Sequence, residues 1–281
     1  MSKNKKRTIA LVCTSIIFIL LAVWIAIENK TIETNYYTIQ SEEISSAFDS
    51  YTIAQISDLH NDTIGKDNIK LINALKDAQP DIIVVTGDLI DSRNTDIKIA
   101  VSFMKGAVKI APCYYINGNH EARITEQYDI LKEELTNIGV TILENESVKL
   151  HKNEDTINLI GINDPDFHIE KAEISIDNRI EELNSDESFT ILLSHRPEAF
   201  EVYVKNDIDL VFTGHAHGGQ FRLPFVGGLF APHQGAFPKY DSGLYAESGT
   251  NMLVSRGLGN SIFPFRFNNR PEIVVAVLKS K

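Results

Sequence analysis

The chain has 281 residues, 43% apolar and 23% charged, which excludes a disordered polymer and permits a substantial core in one large domain or two small ones. The net charge is −11, and the opening "MSKNKKR" contributes +4 of it, leaving −15 on the remainder. That balance excludes a basic groove tracking a nucleic-acid backbone, but not an anionic substrate, because a bound metal pair reverses the local field.

In chain order, residues 1–7 are a basic tail. Residues 8–27, "TIALVCTSIIFILLAVWIAI", carry no charge. A helix of that length, at about 1.5 Å per residue, spans the roughly 30 Å hydrocarbon core of a bilayer. A cleaved signal peptide is the competing reading. Its apolar region is shorter, about 7–15 residues, and ends at a small-x-small site, whereas this run leaves through "WIAIENK". Cys13 lies early inside the run, unlike a lipoprotein cysteine. The expectation is an uncleaved single-pass anchor, with the basic tail cytoplasmic and the rest outside the cell membrane. Only Cys113 lies beyond it, so no internal disulfide is available.

Residues 28–48 read as a tether that becomes a strand near "NYYTI". Residues 49–281 read as the main domain, where an α/β rhythm begins. "YTIAQIS" (51–57) is a strand and "NIKLINALKDA" (68–78) a helix. "DIIVVTGD" (81–88) is a strand and "IKIAVSFMKGAV" (97–108) a helix. "PCYYINGNHE" (112–121) reads as strand then loop, and "EQYDILKEELTNIG" (126–139) as a helix stopped by glycine. "TINLIGIND", "FTILLSH" and "IDLVFTGHAH" are further strands that end in polar corners. Short strands and turns follow residue 218, closing with "PEIVVAVLK". Strands alternating with helices predict an α/β fold.

Five of these strands end in metal-binding residue types: Asp58 with His60, Asp88, Asn119 with His120, His195, and His215 with His217. In open α/β sheets, ligands bind beyond the carboxyl ends of strands, so residues 160 positions apart converge at one edge. Singly, each has a plain reading: a turn, a helix cap, or a hydrogen-bonded surface histidine. Together they form a donor set of imidazole, carboxylate and amide without thiolate, which suits Mn, Fe or Zn. The set is too large for one ion and economical for two sharing a carboxylate. His151, His168 and His233 fall outside it.

In this order, "DLH" (58–60), "GD" (87–88), "GNHE" (118–121), "SH" (194–195) and "GHAH" (214–217) resemble the signature of the calcineurin-like metallophosphoesterases. The anchored N-terminus and "GGQFRLPFVGGLFAP" resemble its membrane-associated, YkuE- and YaeI-like branch. The resemblance implies a four-layer αββα sandwich with two divalent metal ions between its sheets. It implies Asp58, His60 and His217 on one ion, Asn119, His195 and His215 on the other, and Asp88 bridging. His120 would be unligated, as proton donor to the leaving oxygen or as a phosphate contact, and Glu121 would orient it.

The activity inferred is phosphoester hydrolysis by a metal-bound hydroxide, on a phosphodiester or pyrophosphate, with a lipid or envelope precursor as one substrate class. A broad phosphomonoesterase or nucleotide phosphodiesterase is the alternative, and a non-catalytic metal-binding module a remote one. Phe221, Phe225 and Phe230 are read first as core, with an apolar substrate mouth as the alternative. Arg222, Arg256 and Arg266 are equally phosphate contacts or ion pairs. Nothing in the sequence assigns an oligomeric state.

Overall fold

The computed structural model describes residues 3–167, 171–184, 188–261 and 263–281. The chain begins with α1 (Lys3–Glu28), whose apolar side chains lie exposed and which is long and apolar enough to cross a membrane. Next come β1 (Glu33–Ser41), β2 (Thr52–Ile56), α2 (Ile69–Ala78), β3 (Ile82–Thr86), α3 (Ile97–Ala107) and β4 (Cys113–Ile116). A short α4 (Asn119–Ala122), α5 (Thr125–Asn137) and β5 (Thr141–Ile142) complete this half. The second half holds β6 (Glu146–Lys152), β7 (Asp155–Gly161), α6 (Ala172–Leu183), β8 (Thr190–Leu193), α7 (Phe200–Lys205) and β9 (Leu210–Thr213). Two small hairpins follow, β10 (Arg222–Leu223) with β11 (Gly227–Gly228) and β12 (Phe230–Ala231) with β13 (Gly235–Ala236). The chain closes through β14 (Gly243–Glu247), β15 (Thr250–Val254) and β16 (Glu272–Ser280).

One six-stranded sheet has the order β1-β16-β2-β3-β4-β5, the other β14-β15-β9-β8-β7-β6. The pleat sorts the side chains into layers. In β3, Ile83 and Val85 face a cluster with Leu71, Leu75, Phe103 and Leu131 of the covering helices. Ile82 and Val84 face the other way, against Leu193, Leu210 and Phe212 of the second sheet. The outer face of that sheet packs on Ile176, Ile180, Phe200 and Tyr203. The result is helices, sheet, sheet, helices, the α/β sandwich expected. Strands buried on both faces explain the near-continuous apolar runs.

Three differences from the sequence reading have local causes. "NHEA" is one helical turn rather than a loop, because the Gly118 N–H donates to the Glu121 carboxylate at 2.8 Å and starts it. The sequence pattern does not announce α6 and α7: α6 is mostly polar with Ile174 exposed, and α7 has six residues. Phe225 and Phe230 are not core; both are exposed. Phe221 alone packs, edge-on against Phe263 and Phe265.

Candidate metal centre

The carboxyl ends of β2, β3, β4, β8 and β9 deliver all the singled-out residues into one cleft. Asp58, His60, Asp88, Asn119, His120, Glu121, His195, His215 and His217 are all buried. Asp58, His60 and His217 form one group, and Asp88, His195 and His215 another, each with donor atoms within 4.8 Å of one another. In the first, His60 Nε2 and His217 Nε2 are 3.1 Å apart, with Asp58 Oδ1 3.3 Å from His217 Nε2. In the second, His195 Nε2 lies 3.2 Å from His215 Nδ1 and 3.2 Å from Asn119 Oδ1. Asp88 Oδ2 stands between the groups, 3.3 Å from His195 Nε2 and 3.5 Å from His60 Nε2.

Tight backbone corners make this possible. Asp58, His60, Asp88, His215 and His217 all have positive φ, between 48° and 64°, a region that side chains enter at a cost of order 1–3 kcal/mol each. Such strain is held where the surroundings over-determine it. Two glycines allow the close approach: a Cβ on Gly214 would overlap the Ser57 hydroxyl and the Asp58 carboxylate, and one on Gly118 would overlap the Asp88 carboxylate. Below the cleft, Gln55 Nε2 donates to Thr86 Oγ1 and to the Thr213 carbonyl, both at 2.8 Å, tying the two sheets together.

The electrostatics favour a cation. Burial holds the His60 imidazole down at about 3, and those of His215 and His217 well below their ordinary value. Neutral imidazoles keep the lone pairs that ligate metals. Burial raises Asp58 to about 6. For Asp88 burial pushes up, but the His195 imidazole outweighs it and holds the carboxyl well below the ordinary range. Burial pushes His195 down, but Asp88 outweighs it and raises the imidazole to about 10; Nδ1 donates to the Thr86 carbonyl at 2.7 Å, so a metal ion on Nε2 would displace the second proton. The Asn119 amide lies between the His195 and His215 imidazoles and the Arg123 guanidinium. Two buried groups of carboxylate and imidazole donors, each with its donor atoms within 4.8 Å of one another, fit a metal pair.

His120 lies beside these groups. Its Nδ1 accepts from the Ser92 N–H at 3.0 Å, so the neutral ring carries its proton on Nε2. Glu121 does not touch this imidazole. It accepts from the N–H groups of Asp88 (2.9 Å), Ile90 (3.2 Å) and Gly118 (2.8 Å), and so fastens two strand-end loops to each other. The positioning of His120 falls to Ser92, with Asp91 at 3.8 Å.

Sequence reasoning missed several neighbours. Asp91 is buried between His60 and His120 and lies three residues after Asp88 in the same loop, a position that offered a signal. His233, set aside on sequence, stacks on His215 with Nδ1 2.8 Å from its Nε2. His151 is exposed on β6, and His168 lies outside the described residues. Arg196, next to His195, is buried and donates two hydrogen bonds to the Asp164 carboxylate, at 2.6 and 2.7 Å. Of the arginines considered, Arg222 pairs with Asp241 and Arg256 with Glu33 and Glu272. Arg266 is buried with Nη2 3.3 Å from His217 Nδ1. The cleft, about 140 Å³, is lined by Asp88, Asn119, His120, His215 and His217, and by Arg93 and Arg123. A larger cavity, about 600 Å³, opens at the opposite strand ends among Glu43, Asp207 and Asp209; its acidic lining repels a phosphoester.

The family model for calcineurin-like phosphoesterases matches residues 51–219. The uncharacterized metallophosphoesterase YkuE of Bacillus subtilis (strain 168) is 33% identical over 90% of this chain and 88% of its own. Phosphodiesterase YaeI of Escherichia coli (strain K12) is 28% identical over 71% of each. A transmembrane protein with metallophosphoesterase domain from Danio rerio is 27% identical over 98% of this chain and 63% of its own. In fold, the protein TT1561 of Thermus thermophilus superposes with a TM-score of 0.51 at 13% identity, over 74% of this chain and 90% of that one.

Proposed function

Because this chain belongs to the calcineurin-like phosphoesterase family, and is thus a metal-dependent phosphoesterase, we propose that it hydrolyses a phosphodiester or pyrophosphate at a membrane surface. Asp58, His60 and His217 would hold one divalent ion and Asn119, His195 and His215 a second, with Asp88 shared. The observation that carries this is the convergence of Asp58, His60 and His217, and of Asp88, His195 and His215, each with donor atoms within 4.8 Å of one another. Mn, Fe or Zn suits the thiolate-free set. When bound, such a pair supplies Lewis acidity and water activated near neutral pH.

The side chains do the rest. His120 Nε2–H, fixed by the Ser92 N–H on the far nitrogen, points its proton at a phosphoryl oxygen. A neutral imidazole is a weak acid, so this arrangement supports a phosphate contact over proton donation to the leaving group. Arg93, paired with Asp91 at 2.6 Å, and Arg123, 3.7 Å from Asp166, line the cleft as guanidinium donors within reach of a phosphoryl group. The apolar helix α1 and the transmembrane relative support a single-pass anchor. The basic tail supports an extracytoplasmic domain, where lipid or envelope-precursor phosphoesters are at hand. The name of the YaeI relative supports a diester over a monoester.

The test uses the full chain in detergent, stripped of metal and reloaded with Mn, Fe or Zn. Two ions per chain, with turnover of bis-p-nitrophenyl phosphate exceeding that of the monoester and absent in Asp88→Asn, is the expected result. Faster monoester turnover would move the assignment to a phosphomonoesterase. Failure to bind two ions would overturn the metal pair.

A further inference from the structure

The anchor helix and the metal cleft are joined by very little chain. Only residues 29–32 separate α1 from β1, and they are clamped. Asn29 Nδ2 donates to the Arg266 carbonyl at 2.9 Å, and the Arg266 N–H donates back to Asn29 Oδ1 at 2.7 Å. Glu28 pairs with Arg270 at 2.6 Å, and Trp24, one turn earlier, packs edge-on against Phe267 at 5.4 Å. The Arg266 side chain runs inward from this clamp to His217. A single side chain thus separates the end of the helix from the metal cleft.

Beside this clamp the surface is aromatic. Phe221 bridges Phe267 in the backbone and packs against the rings of Phe263 and Phe265. Gln220 Nε2 donates to the carbonyls of Phe263 (3.3 Å) and Phe265 (2.8 Å), which ties the two loops together. Leu223, Phe225, Val226, Phe230, Phe263 and Phe265 are all exposed, Phe225 completely at 109%. An apolar patch of this kind on a soluble domain marks a contact surface. Its continuity with Phe267 and Trp24 says which one: the patch begins where the helix leaves the bilayer. The domain beyond the tail carries −15, so anionic headgroups do not draw it in, and insertion of apolar side chains is the available force.

We propose that the rim formed by residues 223–226, 230 and 263–265 seats in the lipid interface beside α1, holding the metal cleft at headgroup depth. This rests on the reading of α1 as a membrane anchor. It makes the phosphoester of a lipid headgroup, presented sideways from the bilayer, the substrate class that reaches the cleft.

The chain has one tryptophan, Trp24, which permits a direct test. The wild type, the single-tryptophan variant Trp24→Phe with Phe225→Trp, and a water-facing control, Trp24→Phe with Ile130→Trp on α5, are placed in phosphatidylcholine–phosphatidylglycerol vesicles with brominated acyl chains. The expected result is blue-shifted emission and bromine quenching at position 225, as at Trp24, with position 130 quenched by iodide only. If Trp24 is quenched and position 225 behaves like position 130, the anchor stands and the interfacial rim is overturned. If neither Trp24 nor position 225 is quenched, the anchor reading fails first. Blue-shifted emission at 225 that depends on protein concentration and ignores brominated lipid would assign the rim to a second copy and overturn the proposal.

Discussion

At the scale of single residues, His120 and Gly214 yield the sharpest tests. His120 Nδ1 is occupied by the Ser92 N–H, and in the proposed reading His120 holds a phosphoryl oxygen through Nε2–H. His120→Asn should then slow turnover by about 10²–10³, the usual cost of one charge-stabilising donor. The loss should be equal for p-nitrophenolate and for a poor alkoxide leaving group. A loss confined to the alkoxide substrate would return His120 to the role of proton donor. Gly214→Ala pushes a methyl group into Ser57 and Asp58. Overpacking of this sort costs about 1–3 kcal/mol, and displacement of Asp58 should lower bound metal from two ions toward one, read by elemental analysis beside chemical unfolding. The clustering of carboxylates, histidines and an asparagine at strand ends was legible in the sequence, and the structure brings them into one cleft. The contacts of Glu121 were not, because which loop a buried carboxylate fastens depends on how two β-strands lie side by side.

At the scale of elements, polar groups at the two ends of the second sheet behave differently. Arg196, after β8, is buried against Asp164, after β7. Removing one partner leaves the other charged and buried, at a cost of about 3–5 kcal/mol. Arg196→Met should lower the unfolding free energy by that amount, and adding Asp164→Leu should restore most of it; no recovery in the double variant would mean that the pair is not the cause. At the opposite end, just before β9, burial and the Glu43 carboxylate push Asp209 from 3.8 up to about 7, against a Thr190 N–H that donates to it. The folded chain therefore keeps a proton that the unfolded chain releases. The contribution of Asp209 to stability is full below about pH 4 and is lost as pH rises toward 7. Asp209→Asn should raise the melting temperature at pH 8 and leave it unchanged at pH 4. An equal shift at both would refute the linkage. The near-continuous apolar runs announced the central strands of both sheets, whereas α6 and α7 stabilise through a few buried residues each and leave little periodic trace.

At the scale of the whole molecule, two sheets hold carboxylates and imidazoles against one another, and metal ions bound only by the folded chain stabilise it by mass action, about 1.4 kcal/mol per tenfold excess over Kd. Chelation should lower the melting temperature of the wild type, with recovery on adding Mn, and the shift should shrink in Asp88→Asn; a melting temperature indifferent to chelator would count against a metal pair. The sequence by itself determined the α/β class, the apolar segment at the N-terminus, and the order of candidate donors from Asp58 to His217, because apolar strand runs, helix length and side-chain chemistry are local properties. Tertiary structure decided that His233 stacks on His215 and Asp91 sits between His60 and His120, that Ser92 rather than Glu121 holds His120, and that Phe225 and Phe230 face outward. Those outcomes depend on which loops meet across the sheets. An apolar residue in a short strand reads the same in sequence whether the packing of its neighbours covers it or leaves it for a partner to cover.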